Sequence, residues 1–222
     1  MTFKHNRFEG KLQKPINLPY LIYKPNSAPP EAGYPLILAL HGAGQRGTDL
    51  TLVENHGLPI YIASNQDFPY LVCAPQCPDG DTWLLYLDEL LALIDEITGQ
   101  FPIDSDRIII CGQSMGGNGV WNLACKEPHR FAAAVPICGW GDWIMDFPDR
   151  VHQMKSVPTW AFHGEDDDVI PLEESQKMVS ALRKAGCDVQ LTIYPGVAHE
   201  SWDLAYQDKA LFEWLDTKKR QQ

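Results

Sequence analysis

No apolar run in the 222-residue chain approaches the ~20 residues that a membrane-spanning helix needs. The opening stretch MTFKHNRFEG has no apolar core of the kind a secretory leader carries. Basic residues are scarce: 18 Lys and Arg face 29 Asp and Glu, a formal charge of −11. A surface of that sign repels phosphate backbones and anionic lipid heads, so neither nucleic acid nor a membrane is expected as a partner. The short basic end KKRQQ reads as a solvated helix end. CxxC pairs are absent too; Cys73 and Cys77 are spaced for neither a redox pair nor a zinc knuckle. Cys111 and Cys138 sit inside apolar runs, so reduced thiols and a cytoplasmic location are expected. No repeat, low-complexity stretch or linker appears, and one domain over residues 1–222 is expected.

Apolar segments of strand length recur: PLILALH, YLVCAP, RIIICG, FAAAVPIC, VPTWAFHG and VQLTIYPG. Near-continuous hydrophobicity suits a parallel sheet covered on both faces. LPYLIYKP reads as an antiparallel edge strand. Helical spacing marks LLYLDELLALIDEI, GGNGVWNLACKE, EESQKMVSALRKAG and LAYQDKALFEWLDTKK, with Pro171 before the third helix and Gly186 closing it. Strand-helix alternation predicts a doubly wound α/β sheet.

One stretch, ALHGAGQRG, admits two readings. Gly42, Gly44 and Gly47 spell the G-x-G-x-x-G of a dinucleotide-binding turn. That turn must open a helix, and the next strand must end in an acidic residue for the ribose. Here the next strand ends in Ala74 and Pro75, and His56, Gly57 and Pro59 make a poor crossover helix. The cofactor reading is therefore set aside, and no cofactor is expected. The other reading is a loop that supports a developing oxyanion in acyl transfer.

That reading requires a strained serine turn, and IIICGQSMGGNGVW supplies one: a strand, then Gly112-Gln113-Ser114-Met115-Gly116, then a helix. The turn lifts the serine hydroxyl above the sheet, and the residues two before and two after must be tiny. Ser114 is the candidate nucleophile. A serine needs a histidine base oriented by a carboxylate, in the chain order Ser, acid, His. Of the histidines after Ser114, His129 and His152 fall in polar surroundings. His163 ends a strand ahead of any available acid and suits a hydrogen bond that holds the turn. His199, in YPGVAHESW after the last strand, is the candidate base. The acid comes from HGEDDDVIP, whose spacing leaves Asp166, Asp167 and Asp168 unresolved.

From Tyr34 to Trp214 the chain resembles the serine carboxylesterases of the phospholipase/carboxylesterase group, near dienelactone hydrolases and prolyl-oligopeptidase-like esterases. LHGAGQRG, APQCP followed by Trp83, LLALIDEI, DSDRIIICGQSMGGNGVW, HGEDDDVIP and GVAHESW carry the likeness in order. It implies an α/β-hydrolase fold without a lid domain. The motif HG-x-x-D-x-V-V-P falls on His163, Gly164, Asp167, Val169 and Pro171, which favours Asp167. Gln113 stands where such esterases often carry an aliphatic residue, and Ile170 replaces a valine. By the same likeness the oxyanion donors are the Met115 N–H and the Ala43 N–H, with Gly44 as alternative, and His41 is a brace.

The segment from Gly139 to Ser156 is too short for a lid. It leaves the sheet at its carboxyl edge, where ligands bind. Trp140, Trp143 and Ile144 are candidates to wall an acyl or alcohol pocket, as are Trp83 and Trp202; packing is the competing explanation for each. Asp142 and the acidic turn disfavour anionic substrates. The expected activity is hydrolysis of small neutral esters through an acyl-enzyme on Ser114. Thioesterase, feruloyl or acetyl carbohydrate esterase and peptidase chemistry are the alternatives with the same residues. Two other classes compete: a binding protein on a hydrolase scaffold, which should have lost a triad residue, and a metal hydrolase built on His163 to Asp168. No H-E-x-x-H or comparable ligand spacing supports the latter.

Overall fold

The computed structural model describes residues 15–65 and 67–220; the side chain of Trp143 lies outside the described residues. Seven strands form one sheet: β1 (Tyr20–Tyr23), β2 (Tyr34–Leu40), β3 (Leu71–Pro75), β4 (Ile103–Gln113), β5 (Ala133–Ile137), β6 (Thr159–Gly164) and β7 (Val189–Tyr194), in the order β1-β3-β2-β4-β5-β6-β7. All neighbours run parallel except β1, which lies antiparallel to β3 at the edge, as LPYLIYKP leads one to expect.

The continuous hydrophobicity of β2 divides strictly by parity. Leu36, Leu38 and Leu40 enter one core with Ile108 and Ile110 of β4. Ile37 and Ala39 enter the other with Ile109 and Cys111. Side chains of a strand alternate between faces, so a run apolar at every position belongs to a sheet covered on both. The first core is closed by α3 (Leu87–Gln100), α4 (Met115–Lys126) and α5 (Leu172–Lys184). The second lies under α1 (Thr51–Glu54), α2 (Gly57–Ala63), α6 (Trp202–Gln207) and α7 (Lys209–Asp216). Together these make the mostly parallel, doubly covered sheet of an α/β hydrolase.

Two local expectations are corrected. The run LAYQDKALFEWLDTKK is not one helix but α6 and α7, divided at Asp208. Asp208 takes extended backbone, φ −73° and ψ 106°, and its carboxylate accepts the Ala210 N–H, so it caps α7 instead of continuing α6. The segment around His56, Gly57 and Pro59 does form helix: α1 and α2 make the crossover to β3. Gly57 opens α2 at φ +57°, and Pro59 lies in the first turn, where its missing N–H removes no helical bond.

The chain order reverses between β2 and β4, since β3 lies outside β2 while β4 to β7 run the other way. In open parallel sheets the crevice at such a switch point is where ligands bind, beyond the carboxyl ends of the strands. The loops after β2 and β4 flank it.

Candidate active site

Ser114 joins β4 to α4 with φ +54° and ψ −118°, outside the regions L-residues ordinarily occupy. The turn closes only because both flanking positions are glycine. A Cβ at Gly112 would sit 2.6 Å from the Gly116 carbonyl oxygen, and one at Gly116 would run into the Leu40 carbonyl. The Ser114 N–H donates to the Ile137 carbonyl at 2.9 Å, which ties the turn to β5.

Three side chains meet at this turn. His199 Nδ1 is 2.8 Å from Asp167 Oδ2, and His199 Nε2 is 2.9 Å from Ser114 Oγ. The carboxylate can only accept, so Nδ1 carries hydrogen and Nε2 offers its lone pair to the serine hydroxyl. This is the arrangement that can take a proton from Ser114 as it attacks. Of the acidic run, Asp167 alone is buried; Glu165, Asp166 and Asp168 are exposed. The Asp167 Oδ1 accepts the Val169 and Ile170 N–H groups at 2.9 and 2.8 Å, which fixes the carboxylate. Gly164 matters here as well. A Cβ on it would strike the Val197 and Ala198 carbonyls, so the His199 loop passes as close to β6 as a missing side chain permits.

On the other side, the loop after β2 runs through Gly42 into a 3₁₀ turn over Ala43–Gln45. A Cβ on Gly42 would lie 3.5 Å from the Ser114 Cβ, so this loop borders the nucleophile. Met115 begins α4, and first-turn N–H groups of a helix have no partner within it. Among the described residues, neither the Ala43 nor the Met115 N–H donates a backbone hydrogen bond outside helices and strands. Helix ends of this kind favour negative charge.

A lattice of hydrogen bonds from the segment after β3 holds the loop. Gln76, fully buried, donates through Nε2 to the Gln45 and Asp49 carbonyls at 2.9 and 2.8 Å. The Gly47 N–H donates to the Cys77 carbonyl at 3.0 Å, and Arg46 donates to the Asp81 carbonyl at 3.2 Å. His41 accepts the Cys77 N–H at Nε2 and donates from Nδ1 to the Gly42 carbonyl at 2.6 Å. Burial pushes this imidazole down to about 4, so it stays neutral near pH 7 and serves as a brace. Gln76 was not anticipated from the sequence; a polar residue directly after a buried strand was the only local signal for it.

Trp83 is a correction. It is 0% exposed and cannot wall a pocket: its ring N–H donates to the His41 carbonyl at 2.9 Å, and it packs edge-on against the His41 ring. Trp202 is nearly buried and stands edge-on to His199, with centroids 5.4 Å apart at 90°, so it supports the imidazole. Trp140 is half-buried. Its ring N–H donates to Asp142 Oδ1 at 2.9 Å, while Asn118 of α4 donates to Asp142 Oδ2 at 2.7 Å and to the Trp140 carbonyl at 3.0 Å. The segment after β5 is thereby clamped to the helix that starts at the nucleophile. Ile144 is 72% exposed. Gln113, the departure from an aliphatic residue, is buried and accepts the Tyr206 hydroxyl through Oε1 at 3.2 Å. His129 and His152 are exposed.

All six cysteines carry free thiols, five of them buried. Cys138, at φ +40°, lies beside the acid-base pair. Its Sγ falls within 4.8 Å of ligand atoms of Asp167 and His199, the one such group among the described residues whose chemistry suits a metal. Burial lifts the Cys138 thiol to about 12, and the other two members are already bonded to each other. No helix among the described residues is long and apolar enough to cross a membrane.

Comparison with known proteins agrees with this picture. A family model described as phospholipase/carboxylesterase matches residues 86–212. The uncharacterized peptidase YuxL of Bacillus subtilis (strain 168) is 25% identical over 215 residues, covering 80% of this chain and 33% of its own. Acyl-protein thioesterase 1 of Gibberella zeae is 29% identical over 111 residues, 46% of each chain. The chain thus spans a third of the one relative and under half of the other. Among solved structures, a thermostable esterase matches with a TM-score of 0.78 and 35% identity over 91% of this chain and 60% of its own. The structure of esterase PE8 gives a TM-score of 0.65 at 21% identity, covering 90% of this chain and all of its own, which speaks to the fold alone. With the glycine-bounded serine turn, the seven-stranded sheet and the matched residues, the chain belongs to the phospholipase/carboxylesterase family of α/β hydrolases.

Proposed function

We propose that the chain is a cofactor-free serine carboxylesterase acting on small neutral esters, with Ser114 as nucleophile, His199 as base and Asp167 as its orienting acid. The observation that carries this is the unbroken line from Ser114 Oγ through His199 to Asp167, at 2.9 and 2.8 Å, on a strained turn. Ser114 Oγ bonds to the ester carbonyl carbon as its proton passes to His199 Nε2. The carbonyl oxygen becomes an anion facing the Ala43 and Met115 amides, and each such donor contributes on the order of 3 kcal/mol to the transition state. The C–O bond then breaks and the alcohol leaves with the proton from His199. Water attacks the acyl-enzyme, gives its proton to the same nitrogen, and releases the carboxylic acid while Ser114 recovers its hydrogen.

The pocket reading rests on Trp140, fixed beside the nucleophile's helix. Acidic side chains around the rim support neutral over anionic substrates. Free thiols fit a reducing compartment, and the reading places the chain in the cytoplasm as a single domain. The test is hydrolysis of p-nitrophenyl esters from acetate to dodecanoate, a hydroxycinnamate ester and an acyl thioester, by wild type and Ser114→Ala. Rapid turnover of short neutral esters, lost in the variant, is expected. Preference for the thioester moves the substrate class to thioesterase, and full activity in Ser114→Ala removes the nucleophile.

A further inference from the structure

His163 closes β6 four residues before Asp167 and is fully buried. Its Nε2 is 2.9 Å from the Ile170 carbonyl oxygen and 3.2 Å from Asp167 Oδ2. Both are acceptors, so Nε2 must carry the ring hydrogen. Nδ1 is then an acceptor, and the Ser175 hydroxyl, 2.7 Å away, must donate to it. The Nε2 hydrogen goes to the Ile170 carbonyl, so Asp167 Oδ2 accepts one ring N–H, from His199, and has the His163 N–H dipole beside it at 3.2 Å.

We infer that His163, held in one tautomer by Ser175 and the Ile170 carbonyl, is a positioning residue that sets the basicity of His199 through Asp167, whose Oδ2 lies against both rings. The inference rests on the reading of Ser114, His199 and Asp167 given above. Two hydrogen-bonded groups, Ser175 with His163 and Asp167 with His199 and Ser114, thus meet at the 3.2 Å contact of His163 Nε2 with Asp167 Oδ2.

The sign follows from electrostatics. A neutral N–H dipole held 3.2 Å from Asp167 Oδ2 offsets part of the carboxylate charge that stabilises the His199 imidazolium. With His163 present, His199 loses its proton at lower pH and is a competent base over a wider range. His163 itself stays neutral, because burial holds it below the usual histidine range. Other groups that face His199 do not supply this control. Cys138, at the end of β5, is a buried thiol lifted to about 12. Ser114 donates its hydroxyl hydrogen to Nε2 on the opposite side of the ring. Glu200 is the next residue on the His199 loop, and His56, at the start of α2, is separated from it by the Trp202 ring.

The experiment measures kcat and kcat/KM for p-nitrophenyl acetate against pH. It uses wild type, His163→Leu, His163→Gln, Ser175→Ala and Ser114→Ala, with circular dichroism to confirm folding. Leucine removes the donor, and glutamine keeps an amide N–H near the same place. In His163→Leu the acid limb should move up by about one pH unit and the plateau kcat should fall about tenfold, with KM within about twofold. His163→Gln should recover most of both changes. Ser175→Ala should move the limb the same way by less, and it decides the matter if His163→Leu does not fold. An acid limb left at its wild-type position in folded His163→Leu or, failing that, in Ser175→Ala overturns the inference. Glutamine that behaves as leucine does also overturns it. Retained activity in Ser114→Ala instead strikes the underlying reading of the site, and so separates the two failures.

Discussion

Ser114 stands between two unlike half-sites. On one side, Asp167, His199 and His163 form a line of ionisable groups whose protons must move or be held for the chemistry to run. On the other, the loop from Gly42 to Gln45 presents only backbone dipoles. Its buried imidazole support, His41, is kept neutral by burial. The first half carries charge that changes with pH, whereas the second is a rigid field braced by Gln76, Cys77 and Trp83. The contrast teaches where each property of the enzyme should reside: pH dependence on the acid-base side, and pH-independent stabilisation of the transition state on the loop side.

Substitutions can break that division, starting with the largest effect. Ser114→Ala removes the group both halves serve, and kcat should fall by about 10⁶-fold. Asp167→Asn keeps the shape but leaves His199 free to take the wrong tautomer, and kcat should fall about 10⁴-fold at neutral pH in a steady-state assay. On the loop side, Trp83→Phe deletes the ring N–H bonded to the His41 carbonyl and leaves a small void beside it. Loosening of the loop after β2 should lower kcat about tenfold with KM nearly unchanged. Its acid limb should stay at the wild-type pH; a shifted limb would show that the two halves are coupled.

His41 offers a thermodynamic counterpart. Its pKa is lowered from 6.5 to about 4 on folding, so the unfolded chain binds the proton more readily. The corresponding stability is present above pH 6.5 and is lost as pH falls from 6.5 toward 4, up to about 3 kcal/mol. Urea melts of wild type and His41→Gln at pH 7 and pH 4.5 should show the smaller drop in the variant. Smallest of all, Asp166→Asn and Asp168→Asn alter exposed carboxylates, and kcat/KM should stay within about twofold of wild type. A large loss in either would reassign the acid.

The two halves also differed in how plainly the sequence announced them. The serine turn was legible because its requirement is local: two glycines bracket a serine between a buried strand and a helix, and no side chain could replace Gly116 under the Leu40 carbonyl. The strands were legible for a similar reason, since β2 is apolar at each position and both faces of the sheet need covering. His199 followed from its place after the last strand. Asp167 did not separate from Asp166 and Asp168 by spacing, because the choice depends on which carboxylate the turn buries under the Val169 and Ile170 amides. Trp83 misled, since its partner is a carbonyl 42 residues earlier in the chain, and aromatic composition carries no sign of such a contact. Asp208 misled in the other direction: helical spacing ran through it, but its carboxylate found the Ala210 amide. Contacts between distant segments, rather than local propensity, are what the sequence left unwritten.

The central claim is that Ser114 forms the acyl-enzyme. The most direct measurement is peptide mapping by mass spectrometry after treatment with a fluorophosphonate, on wild type and Ser114→Ala. The account predicts one adduct per chain, on the peptide carrying Ser114, with esterase activity lost in step and no adduct in the variant. Labelling on another residue, or full activity in a chain labelled at Ser114, would contradict it.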